Sequence, residues 1–141
     1  MRAPLVLVEV VDGSVDRLSA EAIAFARSIG GESSVEAVEV GVRGVGASVA
    51  AALGSLGVVR IHAVEDPRLE VYSAAAVATG LGVVVASGAF DALIGPGSER
   101  GMEVLAHGGA RSGAAVAVNV IAVDPGAADG RWMVTRQRWA G

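Results

Sequence analysis

Short apolar runs alternate along this chain with amphipathic stretches, and glycine or proline stands at most changes of pattern. Residues 5–11 are apolar nearly throughout and rich in β-branched side chains, which predicts a strand buried on both faces of a parallel sheet. Asp12-Gly13 then turns the chain. Ser19 reads as the N-cap of a first helix, Glu21 lies in its first turn, and Leu18, Ala22, Ile23, Ala26 and Ile29 form an apolar stripe ending at Gly30-Gly31. Residues 34–42 alternate valine and alanine with Glu36 and Glu39, so a second strand is expected, less buried than the first. Gly44 and Gly46 open a turn, residues 47–56 form a small-residue helix stopped by Gly57, and residues 58–64 form a third strand that Glu65-Asp66-Pro67 breaks.

Residues 69–85 fit helical spacing through Val71, Ala74, Ala75, Ala78 and Leu81, although Val83-Val84-Val85 suits a strand equally well. One helix is the reading adopted, because the next apolar run, residues 90–95, needs a crossover of that length to join a parallel sheet. After it come a glycine-rich turn over residues 95–101, a helix over 102–110 and a strand over 115–123. Residues 125–130 read as a loop and 131–139 as a strand with one exposed face, so the short connection makes an antiparallel hairpin at the end of the sheet. Trp132, Val134, Arg136 and Arg138 share one face of that strand; Met133, Thr135, Gln137 and Trp139 share the other. The predicted fold is α/β: three layers, a mostly parallel central sheet with helices on both faces and a C-terminal antiparallel hairpin, in one domain over residues 1–141.

Composition narrows the function classes. Hydrophobic residues make up 52 % and charged residues 18 %, which excludes disorder and leaves apolar surface that a partner could cover. Cysteine is absent, so disulfides, thiolate nucleophiles and sulfur-ligated metals are excluded. A net charge of -4 argues against a nucleic-acid surface. The apolar runs at residues 5–8 and 74–86 are too short for a signal-peptide core and a membrane helix respectively, so no membrane insertion and a cytoplasmic location are expected.

No catalytic or metal-binding constellation emerges. His62 lies in a predicted strand and His107 on a predicted helix, without convergent partners, and Asp12, Asp16, Glu65 and Asp66 are accounted for by turn chemistry. The glycine turn carries the one candidate site: Gly95, Gly97, Ser98, Arg100 and Gly101 could hold an anion on backbone donors or serve as a docking loop. Its G-x-G-x-x-x-G spacing is one residue longer than the dinucleotide fingerprint, and it lacks the lysine and hydroxyl of a P-loop. Gly108 and Gly109 weaken the helix that follows, so either it is short or close packing compensates.

Several strings, taken in order, carry a resemblance. Residues 5–9, Leu18-Ser19-Ala20-Glu21, Ala26-Arg27-Ser28-Ile29-Gly30, Glu65-Asp66-Pro67 through Tyr72, Phe90-Asp91-Ala92-Leu93-Ile94-Gly95-Pro96-Gly97-Ser98 and Trp139-Ala140-Gly141 resemble the N-terminal domain of the electron transfer flavoprotein alpha subunit. Departures fall at Met102, at Ala106-His107 and at Asn119, where that family usually has a basic residue, a Pro-Arg pair and an aspartate, so a diverged paralogue is also admitted. The resemblance implies an adenine-nucleotide-alpha-hydrolase-like fold and a subunit of a heterodimeric electron carrier. In that family FAD takes electrons from dehydrogenases and passes them to a membrane-bound quinone reductase. It further implies a beta subunit as partner, FAD held mainly by a C-terminal domain absent from this chain, no flavin bound by this chain alone, and a fragment of a longer protein. The alternatives are a free-standing nucleotide-binding module of the same broad fold and a homodimer formed through the strand carrying Trp132 and Trp139.

Overall fold

A computed structural model of the chain describes residues 2–31, 34–126 and 130–139. The first strand, β1 (Leu5–Leu7), is buried on both faces, as the apolar run requires. It is shorter than the run itself. Val8 still donates to Val38 O at 2.9 Å, but Glu9 turns out of the sheet and its N–H goes to Ser19 Oγ at 2.8 Å. Val10 and Val11 form β2 (Val10–Val11), paired antiparallel with β3 (Ser14–Val15). The single strand expected over residues 5–11 is therefore two. The cause is Asp12-Gly13, whose φ values of 49° and 75° supply the left-handed pair that a two-residue hairpin needs.

The N-cap of helix α1 (Arg17–Gly30) lies three residues earlier than expected. Asp16 is the N-cap, its Oδ2 accepting from Leu18 N at 2.9 Å, while Ser19 is fully buried inside the helix and serves Glu9 instead. Next come β4 (Val35–Gly41), α2 (Ala47–Ser55), β5 (Val58–Glu65) and a 3₁₀ turn over Pro67–Glu70. Helix α3 (Ala74–Ser87) follows, with Ser73 Oγ accepting from Ala76 N at 3.3 Å. The helix expected over 69–85 is thus divided, because Pro67 nucleates its own short turn and Val71 is extended, with φ −93° and ψ 119°. The ambiguous Val83-Val84-Val85 is helical.

Strand β6 (Leu93–Ile94) and helix α4 (Glu99–Ser112) complete the layers. The parallel sheet runs β5-β4-β1-β6. Val6, Val8, Ala37 and Val58 face α1 and α2, meeting Ile23, Ala26 and Leu53. Leu5, Leu7 and Val38 face α3 and α4, meeting Ala78, Leu81, Val84 and Val104. Contrary to the expectation of a less buried second strand, β4 is central, with Val35, Ala37 and Val38 at 1 % exposure or less. Its glutamates mislead because Glu36 is received by His62 and Arg60 of β5, while Glu39 is partly buried in spite of its charge. Gly80 sets the distance between α3 and the sheet: a Cβ there would stand 2.9 Å from Val40 Cγ1 and 3.1 Å from Val64 Cγ1.

The last two strands leave the body. Residues 114–118 have no regular structure, and Asn119 takes a left-handed φ of 56°. Strand β7 (Val120–Asp124) then pairs antiparallel with β8 (Met133–Arg136) as a separate two-strand sheet. The hairpin is as expected; its attachment to the parallel sheet is not, and of the strand expected over 115–123 only residues 120–123 form one, because 114–118 stay irregular and the left-handed Asn119 then turns the chain. Trp132 is half-buried and Trp139 fully exposed. Residues 127–129 of the expected loop, and Ala140 and Gly141 of the closing string, lie outside the described residues. Among the described residues no helix is long and apolar enough to cross a membrane.

Candidate functional site

In this strand order the chain leaves β1 for β4 on one side and later returns to place β6 on the other, so the carboxyl ends of β1 and β6 flank a topological switch point. Open α/β sheets bind ligands there. Glu9 follows β1 and Gly95-Pro96-Gly97-Ser98 follows β6, so the glycine loop lies at this position.

The loop ends sooner than its glycines suggest. Ser98 is the N-cap of α4, its Oγ accepting from Gly101 N at 3.0 Å, and Glu99, Arg100 and Gly101 are the helix's first turn. Ser98 Oγ also donates to Glu9 Oε1 at 2.7 Å, which brings a carboxylate to the helix N-terminus. The positive end of the helix dipole favours that arrangement, and the position is the one a bound phosphate would take. Gly101 is a packing glycine, since a Cβ would overlap Pro96 O, whereas Gly97 faces open space. A Cβ at Gly95 would lie 2.8 Å from Leu105 Cδ1. Of the two α4 glycines Gly109 is the close-packing case, since a Cβ there would overlap Val116, whereas Gly108 faces open space; the helix nevertheless runs its full length to Ser112.

Arg100 turns away from the loop. Its guanidinium lies 4.2 Å from the centre of the Tyr72 ring, and Tyr72 O–H donates to Glu103 Oε2 at 3.0 Å. Burial, then the bond to Glu103, pushes the Tyr72 phenol above its ordinary range. The structure thus brings Gly95, Gly97, Ser98 and Gly101 together and couples Arg100 to the segment before α3. Sequence reasoning missed Glu9, Tyr72 and Glu103; the signal for Glu9 is its place directly after the first strand, where such folds carry functional side chains.

The other titratable candidates are engaged elsewhere. His62 Nε2 is 2.6 Å from Glu36 Oε2, with Arg60 3.7 Å from the same carboxylate, and the His62 ring meets Phe90 edge-on at 6.0 Å. Glu36 is the second residue of β4, so this cluster stands at the opposite end of the strands from the switch point. Asp66 caps the 3₁₀ turn and is chelated by Arg68, which holds its carboxyl down at about 2. Asp12 lies in the β2–β3 turn, Glu65 closes β5, and His107 is exposed on α4. Among the described residues no group of three or more His, Cys, Asp or Glu could hold a metal.

A family model of the electron transfer flavoprotein domain matches residues 4–141. The chain belongs to the electron transfer flavoprotein domain family. No curated protein matches it. Membership in this family of electron carriers accounts for the order of strings noted in the sequence, from the opening strand to the hairpin.

One acidic side chain of this electron transfer flavoprotein domain works against its stability. Glu39, near the carboxyl end of β4, has a buried Oε2 with no hydrogen-bond partner among the described residues, and burial, reinforced by the charge of Glu65, raises its pKa. A carboxyl whose folded pKa lies above its unfolded value opposes folding once both states are ionised, and that cost disappears as pH falls through the unfolded value. Glu39→Gln is therefore expected to raise the urea midpoint at pH 7, with the gain vanishing at about pH 4. Equal or lower stability of the variant at pH 7 contradicts this.

Proposed function

We propose that this electron transfer flavoprotein domain is the docking half of an alpha-type subunit, in a cytoplasmic heterodimer that carries electrons from dehydrogenases to the respiratory chain on FAD. On this reading the flavin is held by a domain outside this fold together with a beta-type partner subunit. The domain itself positions that assembly and does no chemistry. The observation that carries the reading is the closure of the switch point: Glu9 occupies the N-terminus of α4 through Ser98, so a flavin pyrophosphate or nucleotide phosphate would meet a carboxylate there.

The hairpin supports docking. Ile121, Met133 and Trp139 are 58 %, 67 % and 101 % exposed, an apolar content that solvated ribbons seldom carry and that partners cover. Trp132 and Val134 face the other way, lining with β6 an apolar groove of about 1230 Å³.

The competing reading, a free-standing nucleotide-binding module, is favoured by the strand order and by a helix N-terminus at its switch point. Calorimetry with AMP and ATP separates the two. The docking reading expects no heat of binding; micromolar affinity for either nucleotide selects the module.

A further inference from the structure

Strand β6 is an outer strand of the parallel sheet, and β1 is its neighbour on one side. Leu5 pairs with Leu93 and its N–H goes to Ala92 O at 3.0 Å, so alternation turns the N–H and C=O of Ile94 toward β1 and those of Leu93 and Gly95 away from it. They face the apolar groove. Its walls come from both helix layers, Leu18 and Phe25 of α1 on one face of the sheet and Met102 and Leu105 of α4 on the other, with β6 as the floor. Both layers thus project past the last strand.

The chain itself runs along that groove. Helix α4 starts at the carboxyl end of β6, packs on the same face of the sheet as α3, and ends at Gly113, whose φ of 70° turns the backbone. A β–α–β crossover is right-handed, and α4 shares its face with the crossover from β5 to β6, so the next strand belongs beyond β6 on the side away from β1. Residues 114–118 arrive at that place. Ala114-Ala115-Val116-Ala117-Val118 is apolar at every position, as a strand covered on both faces is, yet Ala114 to Ala117 lie exposed along the groove, Val116 by 44 %. Three features hold the end of the segment to the hairpin instead. Arg136 Nε donates to Val118 O at 2.8 Å, Gln137 N donates to Asn119 O at 2.8 Å, and Asn119 takes its left-handed φ of 56°.

We propose that residues 114–118 are a strap that closes onto β6 as a fifth parallel strand, filling the groove, and reopens to the irregular state. Closure pairs the outward groups of Leu93 and Gly95 and buries Val116. Asn119 is the pivot: with an extended φ it lets β7 continue the new strand, and with its left-handed φ it turns β7 out into the free hairpin. Asparagine tolerates both conformations better than a β-branched residue would. Because the strap is continuous with β7, closure also swings the exposed Ile121 and Met133 relative to the sheet. The strap thus makes the orientation of the hairpin's apolar face a two-state property of the domain, and the device needs no partner to operate.

Amide hydrogen exchange of the full chain, read residue by residue by NMR, tests the proposal. The expected result is protection at Leu93 and Gly95 that is measurable but weaker than at Ile94, which β1 holds in both states. Val116→Asp places a charge that solvent accepts in the open state and the apolar groove rejects, and is expected to lower protection at Leu93 and Gly95 about tenfold with Ile94 and circular dichroism unchanged. Asn119→Val penalises the left-handed pivot and is expected to raise the same protection about tenfold. Should Val116→Asp fail to fold, Asn119→Val decides the matter. Free exchange at Leu93 and Gly95 in both the unmodified chain and Asn119→Val overturns the proposal, since the strap then never closes. So does protection that Val116→Asp leaves unchanged, or protection in the unmodified chain equal to that of Ile94, which would mean a strand that never opens.

Discussion

Leu81→Ala is expected to lower the unfolding free energy by about 3 kcal/mol, a drop in melting temperature of roughly 10 °C. Leu81 is 2 % exposed on the face of α3 that meets Leu5, Leu7 and Val38, and Gly80 beside it lets the helix approach the sheet closely. A helix seated that tightly cannot collapse further into the space a leucine vacates, so the cavity term adds to the lost transfer energy. Urea unfolding measures it. A loss below about 1 kcal/mol would mean that α3 does not pack on the sheet as described.

Two glycines of one helix should respond with opposite sign. Gly101→Ala is expected to cost about 1–3 kcal/mol, because the new methyl would overlap the Pro96 carbonyl and backbone must move to admit it. The start of α4 would shift with it, loosening the Ser98 bridge to Glu9. Gly108→Ala meets nothing within 4 Å and is expected to add roughly 0.5–1 kcal/mol from helix propensity. Denaturation midpoints of the two variants beside the unmodified chain check this. Equal effects would show that α4 is not held against the Pro96 turn.

What could be read in advance was whatever rests on local periodicity. The buried β1, the apolar stripe of α1, the short α2, the α3 crossover and the terminal hairpin all follow from patterns within a dozen residues. What escaped depends on groups distant in sequence. Ser19 looks like a cap until Glu9, ten residues earlier, is seen to need its hydroxyl. Glu36 and Glu39 make β4 look half-exposed, although one is received by His62 and Arg60 of the next strand and the other is partly buried despite its charge. Ala115 to Val118 suit a strand by pattern yet stay irregular, and the left-handed Asn119 that follows them leaves no trace in the hydrophobic pattern. For the site, the glycine loop was found by its residues, but its closing carboxylate comes from the far end of the chain. Glu9 and Ser98 are 89 residues apart, and only the parallel pairing of β1 with β6 brings them together.

The account depends on a switch point whose anion position already holds a carboxylate of the chain itself. Titration of the purified chain with FAD, followed by flavin absorbance after removal of unbound ligand, tests this most directly. The account predicts a colourless protein fraction at every ratio; a stoichiometric yellow complex would contradict it.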